Sequence, residues 1–177
     1  SVEKVSDAQN QKISEAVKNV NVTISYVNGE QQVFLNGENV TGQLRTEEVG
    51  NMASASSVNG DVRKKLLELQ RKLAATANVV MDGRDIGTVV LPNADVKVYL
   101  TASVEVRAQR RYKELIERGL SADLEQIKKD IEERDYRDMN RDIAPLRQAE
   151  DAVLVDTSDM NIEEVVDAIL TIVKERQ

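Results

Sequence analysis

Two carboxylates and an arginine are packed into the stretch Val79–Gly87, VVMDGRDIG. A short apolar run ends at Asp82, and a glycine-bracketed turn then sets Arg84 beside Asp85. The planar fork of an arginine suits a phosphate or a carboxylate. An ionised aspartate only accepts hydrogen bonds, which suits an amino group or a sugar hydroxyl. Gly83 and Gly87 permit a tight turn and a close approach of the backbone to a ligand. A second concentration of charge lies downstream, where eight arginines fall between Arg107 and Arg147. Arg107, Arg110 and Arg111 are spaced i, i+3 and i+4, so they crowd one helix face and repel one another mildly. Only Glu114 and Glu117 offset them on the following turn. Arg134, Asp138 and Arg141 share a second face. Two readings stand. One is a solvated surface laced with Glu and Asp, with a local Arg–Asp pair in the turn. The other is a pocket for several phosphate groups, formed where both arginine clusters face the Arg84–Asp85 turn.

The chain contains neither histidine nor cysteine. Thiol nucleophiles, disulfides, Cys/His zinc sites and histidine acid–base chemistry are therefore excluded. Chemistry must run on carboxylates, arginines, lysines, hydroxyls and backbone, and we assign no residue as a metal ligand. Such a set favours phosphate chemistry, where positioning and charge neutralisation carry most of the catalysis. The net charge of −7 and an aromatic content of 3% argue against a nucleic-acid-binding surface. No apolar run approaches the ~20 residues that span a bilayer, and no signal-like start is visible. We expect a cytoplasmic protein. Its 177 residues suffice for one well-buried domain with a small inserted subdomain.

Positioning these residues requires helices and strands, whose signals are local. Ser6 and Gln9 make a capping box for a first helix with Ile13, Ala16, Val17 and Val20 on one side. Val22, Ile24 and Tyr26 alternate with polar residues, as do Val33 and Leu35, and Asn28-Gly29 and Asn36-Gly37 punctuate these runs. That pattern predicts an antiparallel unit from about Val20 to Val40. Thr46 caps a helix whose first turn carries Glu47 and Glu48. Asn59-Gly60-Asp61 breaks the chain before a helix to about Ala75, with Val62, Leu66, Leu69 and Leu73 on one face. Three short apolar strands follow, at Val79–Met81, Val96–Leu100 and Ala152–Val155, alternating with helices. Strand–helix alternation predicts a parallel sheet covered on both faces. The intervening helices run from about Ser103 to Gly119 and from about Ala122 to Asn140. A last helix, Asn161 to about Lys174, buries Ile162, Val165, Val166, Ile169 and Val173.

Val79–Pro92 (VVMDGRDIGTVVLP) and Arg134–Leu146 (RDYRDMNRDIAPL) together closely resemble the bacterial cytidylate kinase family, a branch of the nucleoside-monophosphate kinases. The resemblance extends through Gly37–Val49 (GENVTGQLRTEEV), Ala53-Ser54, Val62-Arg63 and Leu100–Arg111, in the family's order. It implies an α/β fold, a P-loop kinase-like parallel sheet flanked by helices. An inserted monophosphate-binding subdomain of small antiparallel sheet plus helices accompanies it. We expect residues 1–77 to form that subdomain and 78–177 the core, with a lid at about 103–141. The implied reaction transfers the γ-phosphoryl of ATP, with Mg²⁺, to CMP or dCMP. By the resemblance, Ser54, Arg63 and Asp85 contact cytosine, Arg84 and Arg141 hold the monophosphate, and Arg134 and Asp138 lie near ribose and phosphate. Arg107, Arg110 and Arg111 match the lid that closes over the transferring phosphoryl group; with Arg134 they form the catalytic set.

One departure accompanies the match. The family's P-loop motif, G-x-x-x-x-G-K-[ST], occurs nowhere in these 177 residues. The chain begins at Ser1 without a methionine, so we expect it to start after the family's first strand and P-loop and to have little or no kinase activity by itself. We expect the complete protein to be a monomer, with small nucleotides as its partners. An unpaired sheet edge would open self-association to this chain. Two alternatives remain at this stage: a kinase for UMP or another monophosphate, and a nucleotide-binding module without catalysis.

Overall fold

The computed structural model describes residues 6–176 apart from 45 and 58; the side chains at 47, 51, 54 and 55 also lie outside the description. The fold is α/β, and the chain divides into two compact units, Ser1–Val79 and Val80–Gln177.

The first unit opens with α1 (Asp7–Lys18). Its capping box forms as the sequence predicts: the Ser6 hydroxyl accepts from the Gln9 amide, and the Gln9 side chain accepts from the Ser6 amide at 2.8 Å. A meander follows, β1 (Val22–Val27), β2 (Glu30–Leu35) and β3 (Glu38–Asn39), antiparallel throughout. Both of its turns are Asn-Gly with positive φ, at 54° and 82° for Asn28-Gly29 and 51° and 89° for Asn36-Gly37. These are the conformations that two-residue hairpins need, and asparagine and glycine adopt them with least strain. The second Asn-Gly thus starts a third strand. Helix α2 (Glu47–Ser56) is capped by the Thr46 hydroxyl on the Val49 amide. Asn59 then opens α3 (Gly60–Thr76), its side-chain oxygen accepting from the amides of Asp61 and Val62. The other end of the same side chain donates to Ser14 Oγ at 3.0 Å and to the Asn10 carbonyl at 3.3 Å. One buried asparagine thereby caps α3 and ties it to α1.

In the second unit a π-helical turn at Ile86–Val90 leads to β4 (Val98–Thr101), α4 (Val104–Glu117), α5 (Leu124–Asn140), β5 (Val153–Asp156) and α6 (Ile162–Glu175). Strands β4 and β5 pair in parallel from Val98↔Val153 to Thr101↔Asp156, and α4 packs on α5. Asp123, accepting from the Gln126 amide, fixes the start of α5 at Leu124 rather than Ala122.

Two expectations need correction here. Val79–Met81 is not a strand, and Val80 is fully exposed. A strand exists only through its ladder, and among the described residues the parallel ladder consists of β4 and β5 alone. The apolar run therefore belongs to no strand. The last helix is also less buried than its pattern suggests: Ile162 is 79% exposed and Val166 48%, while Val165, Ile169 and Val173 are half-buried. A two-stranded sheet is only about one 4.8 Å strand spacing wide and cannot cover a full helical stripe. The same shortfall exposes Leu100 and Leu154 on opposite sheet faces. Leu66 and Leu73 on the apolar face of α3 are also exposed.

Candidate functional site

The π-helical turn is where the sequence pattern concentrates charge. The Asp85 carbonyl accepts from the amides of Val89 (2.9 Å) and Val90 (3.1 Å), and the Ile86 carbonyl accepts from Leu91 (2.7 Å). Such wide turns are rare and cluster at functional sites. Neither glycine of the turn has a positive φ. Gly83 matters for a different reason: a Cβ there would sit 2.9 Å from Ile86 Cγ1 and force the isoleucine side chain to shift. At Gly87 a Cβ would make only ordinary contact, with Lys97.

The end of α5 meets this turn. Arg84 Nε donates to Asp138 Oδ2 at 2.9 Å. Arg134, one helical turn before Asp138, approaches the same oxygen at 3.8 Å. Arg141 approaches the other carboxylate oxygen at 4.0 Å and Asp85 Oδ1 at 3.9 Å. Among these five described side chains, three guanidinium groups face two carboxylates, a sum of one positive charge. Asp85, Asp138 and Arg141 are held at 15–19% side-chain exposure, whereas Arg84 and Arg134 reach into solvent. Arg141 is anchored by Nε donating to the Ala144 carbonyl at 2.7 Å, while its Nη2 is buried without a hydrogen-bond partner. Ala144 itself has φ of 50°, a left-handed conformation that alanine adopts at a cost. A buried guanidinium nitrogen with an unused N–H, in a cluster one charge positive, suits an anionic oxygen.

The helix arginines are placed differently from what their spacing suggests. Arg107 makes a two-pronged pair with Asp135 of α5, at 2.6 and 3.1 Å, and its Nε donates to the Ala102 carbonyl. Arg110 donates to Thr157 Oγ1 (3.2 Å) and to the carbonyls of Thr157 (2.6 Å) and Met160 (3.2 Å). Arg111 pairs with Glu114 at 2.8 Å, and this hydrogen bond holds the Glu114 carboxyl below its usual range. The face is therefore offset by partners from α5 and the β5–α6 connection, which sequence spacing missed. Asp135 carries a readable signal, a carboxylate one residue after Arg134; backbone carbonyls carry none.

Arg63 lies in the first unit on α3, its Nη1 within 3.5 Å of the Ser57 carbonyl. The Ser54 side chain lies outside the described residues. The structure thus brings together Arg84, Asp85, Arg134, Asp138 and Arg141. It binds Arg107 and Arg110 into the frame of the second unit. Among the described residues, no group of three or more acidic residues could hold a metal ion, and no helix is long and apolar enough to cross a membrane.

Comparison with known proteins gives the family. The family model described as "Cytidylate kinase" matches residues 2–175. A cytidylate kinase of Geobacillus sp. (strain WCH70) is 49% identical over 174 residues, covering 98% of this chain and 78% of that protein. Cytidylate kinases of Ligilactobacillus salivarius and Enterococcus faecalis are 53% and 50% identical, covering 83% and 89% of this chain. The chain spans 66% and 70% of those two relatives' own length. With a family model matching residues 2–175 and relatives at about half identity, the chain belongs to the cytidylate kinase family.

Proposed function

We propose that this chain forms the acceptor side of a CMP/dCMP kinase, binding the pyrimidine monophosphate that receives the γ-phosphoryl of ATP. The observation that carries this reading is the convergence of Arg84, Arg134 and Arg141 on Asp138 beside Asp85. In it, Arg84 and Arg141 hold the monophosphate, and the unused N–H of Arg141 takes a phosphate oxygen. Asp138 takes a ribose hydroxyl, with Arg134 beside it. Asp85 accepts from the exocyclic amine of cytosine; for Arg63 and Ser54, in residues 1–77 of the proposed monophosphate-binding subdomain, the role of cytosine contacts rests on the family resemblance. Uracil presents an oxygen where cytosine presents the amine, so Asp85 disfavours it. This chemistry favours CMP over a UMP kinase reading.

Arg107, Arg110 and Arg111, in the proposed lid at about 103–141, neutralise the transferring phosphoryl group, with Arg134 beside the acceptor phosphate. For that, Arg107 and Arg110 must exchange Asp135 and the Thr157 and Met160 carbonyls for phosphate oxygens. The residues present do not fit the donor side: a β-phosphate cradle with its lysine is absent from the sequence, and no acidic cluster for Mg²⁺ occurs among the described residues. The chain alone should bind acceptor and transfer little phosphate, which makes a binding module the second reading.

The test is a calorimetric titration of the chain with CMP, repeated with UMP and with Asp85→Asn. CMP should bind, UMP should bind more weakly, and Asp85→Asn should narrow the difference. Equal affinity for CMP and UMP in the unsubstituted chain would remove the cytosine assignment of Asp85.

A further inference from the structure

Lys97 stands just before β4, and its side chain is only 7% exposed. An ammonium is seldom buried this far unless its three donors are satisfied. Here they are: Nζ donates to the Pro92 carbonyl and to both Asp151 oxygens, at 2.9 and 2.7 Å. The backbone of Lys97 is also fixed, its carbonyl accepting from the Val153 amide at 2.9 Å at the head of the parallel ladder. The methylene stem runs beneath the π-helical turn, where a Cβ on Gly87 would lie 3.5 Å from Lys97 Cδ and 3.7 Å from Cγ.

The ammonium fixes the far end of the turn by holding the Pro92 carbonyl, which follows Leu91. The stem passes alongside Gly87 near its start, where an added Cβ would reach it. The turn's own bonds, in which the Asp85 and Ile86 carbonyls accept from Val90 and Leu91, join these two places. Any shift of that segment moves Asp85, and with it the 3.9 Å approach to Arg141. Asp151 completes the strut from the segment before β5, so the turn is braced against the sheet it precedes.

We propose that Lys97, with Asp151, is a positioning residue: it braces the Ile86–Val90 turn and thereby sets where Arg84 and Asp85 point. The ligand that this placement serves rests on the cytidine-monophosphate reading above; the brace itself does not. Lys97→Met keeps the stem and removes the ammonium. Amide exchange in the ligand-free chain should then quicken about tenfold at Val90 and Leu91, the scale of losing one charge-assisted hydrogen bond, and by less than about twofold at Ala108 of α4. Lys97→Arg should restore most of that protection, and Asp151→Asn should fall between. In parallel, Lys97→Met should weaken CMP binding about tenfold and shrink the CMP-to-UMP ratio, since a misplaced contact loses affinity and discrimination together.

Unchanged exchange at Val90 and Leu91, or equal quickening at Ala108, overturns the brace, because the lysine would then be either dispensable or generally structural. Unchanged CMP affinity in a variant whose turn has loosened overturns the positioning role. If the unsubstituted chain binds no CMP, the cytidine reading fails, and the exchange measurement alone decides the brace. If Lys97→Met does not fold, Lys97→Arg and Asp151→Asn are judged on the same two readouts.

Discussion

Replacing Asp138 by asparagine should push stability and phosphate affinity in opposite directions. The carboxylate faces Arg84 at 2.9 Å, Arg134 at 3.8 Å and Arg141 at 4.0 Å. In water-like surroundings each such pair is worth about 1 kcal/mol of gross attraction, and exposed pairs typically retain 0.2–1 kcal/mol net, a few tenths being lost to ordering. Summed over three partners, and allowing for mutual repulsion of the guanidiniums left behind, Asp138→Asn should cost about 1–2 kcal/mol of unfolding free energy without ligand. The bound state behaves differently. A carboxylate about 5 Å from a phosphate opposes each unit of its charge by about 0.8 kcal/mol in water. Removing it should favour a phosphate dianion by about 1 kcal/mol after salt screening, or roughly fivefold in affinity. Urea unfolding of both chains, run at increasing inorganic phosphate at constant ionic strength, reads both quantities. The variant should start less stable and gain more from phosphate. A variant as stable as the original, with the same or a smaller phosphate response, would mean that the three arginines do not act as one anion site.

Asn59→Ala removes both the cap of α3 and the bonds to α1, and should cost about 2–4 kcal/mol in urea unfolding. Asn59→Asp keeps an acceptor for the helix amides but loses the donor to Ser14 and Asn10, so it should cost about half as much; equal costs would mean the cap contributes nothing separate. Glu105 and Lys128 pair between α4 and α5 at 2.7 Å. Hydrogen bonding to Lys128 lowers the Glu105 carboxyl from its ordinary 4.5, and hydrogen bonding to Glu105 raises the Lys128 ammonium above 10.5. The carboxylate's contribution is present above 4.5 and is lost as pH falls through its lowered folded value; the ammonium's is present below 10.5 and is lost as pH rises through its raised one. Glu105→Gln should therefore make both limbs of stability against pH slightly shallower, while Glu114, Asp151 and Asp156, also lowered, keep their share of the acid limb; limbs unchanged in the variant would mean that the pair contributes nothing.

The features that were legible in the sequence are those decided by a few neighbouring residues. Ser6 with Gln9, and Thr46, cap the helices they precede, because a cap needs only a side chain within reach of the next amides. Both Asn-Gly pairs turn for an equally local reason. Val79–Met81 was misread because an apolar run becomes a strand only when another strand pairs with it. The burial of α6 was overestimated on the same ground, since amphipathic spacing states which face prefers cover and not how much cover exists. At the site, Arg84, Asp85, Arg134, Asp138 and Arg141 could be singled out by residue type. The distances that join Arg84 to Asp138, 54 residues apart, could not. Arg110 was hardest to foresee, since it is bound by backbone carbonyls at 157 and 160, which any residue would supply.

Ala144 gives the site a tensioned joint. Its left-handed backbone turns the carbonyl onto Arg141, immediately after α5 ends at Asn140. A glycine would relax that joint by about 1 kcal/mol, so the alanine behaves as a wound spring: the molecule is less stable than it need be, and the guanidinium is better aimed. Ala144→Gly should accordingly yield a protein that melts later and binds a phosphate ligand less well. In this loop, durability and grip are set against each other by a single methyl group.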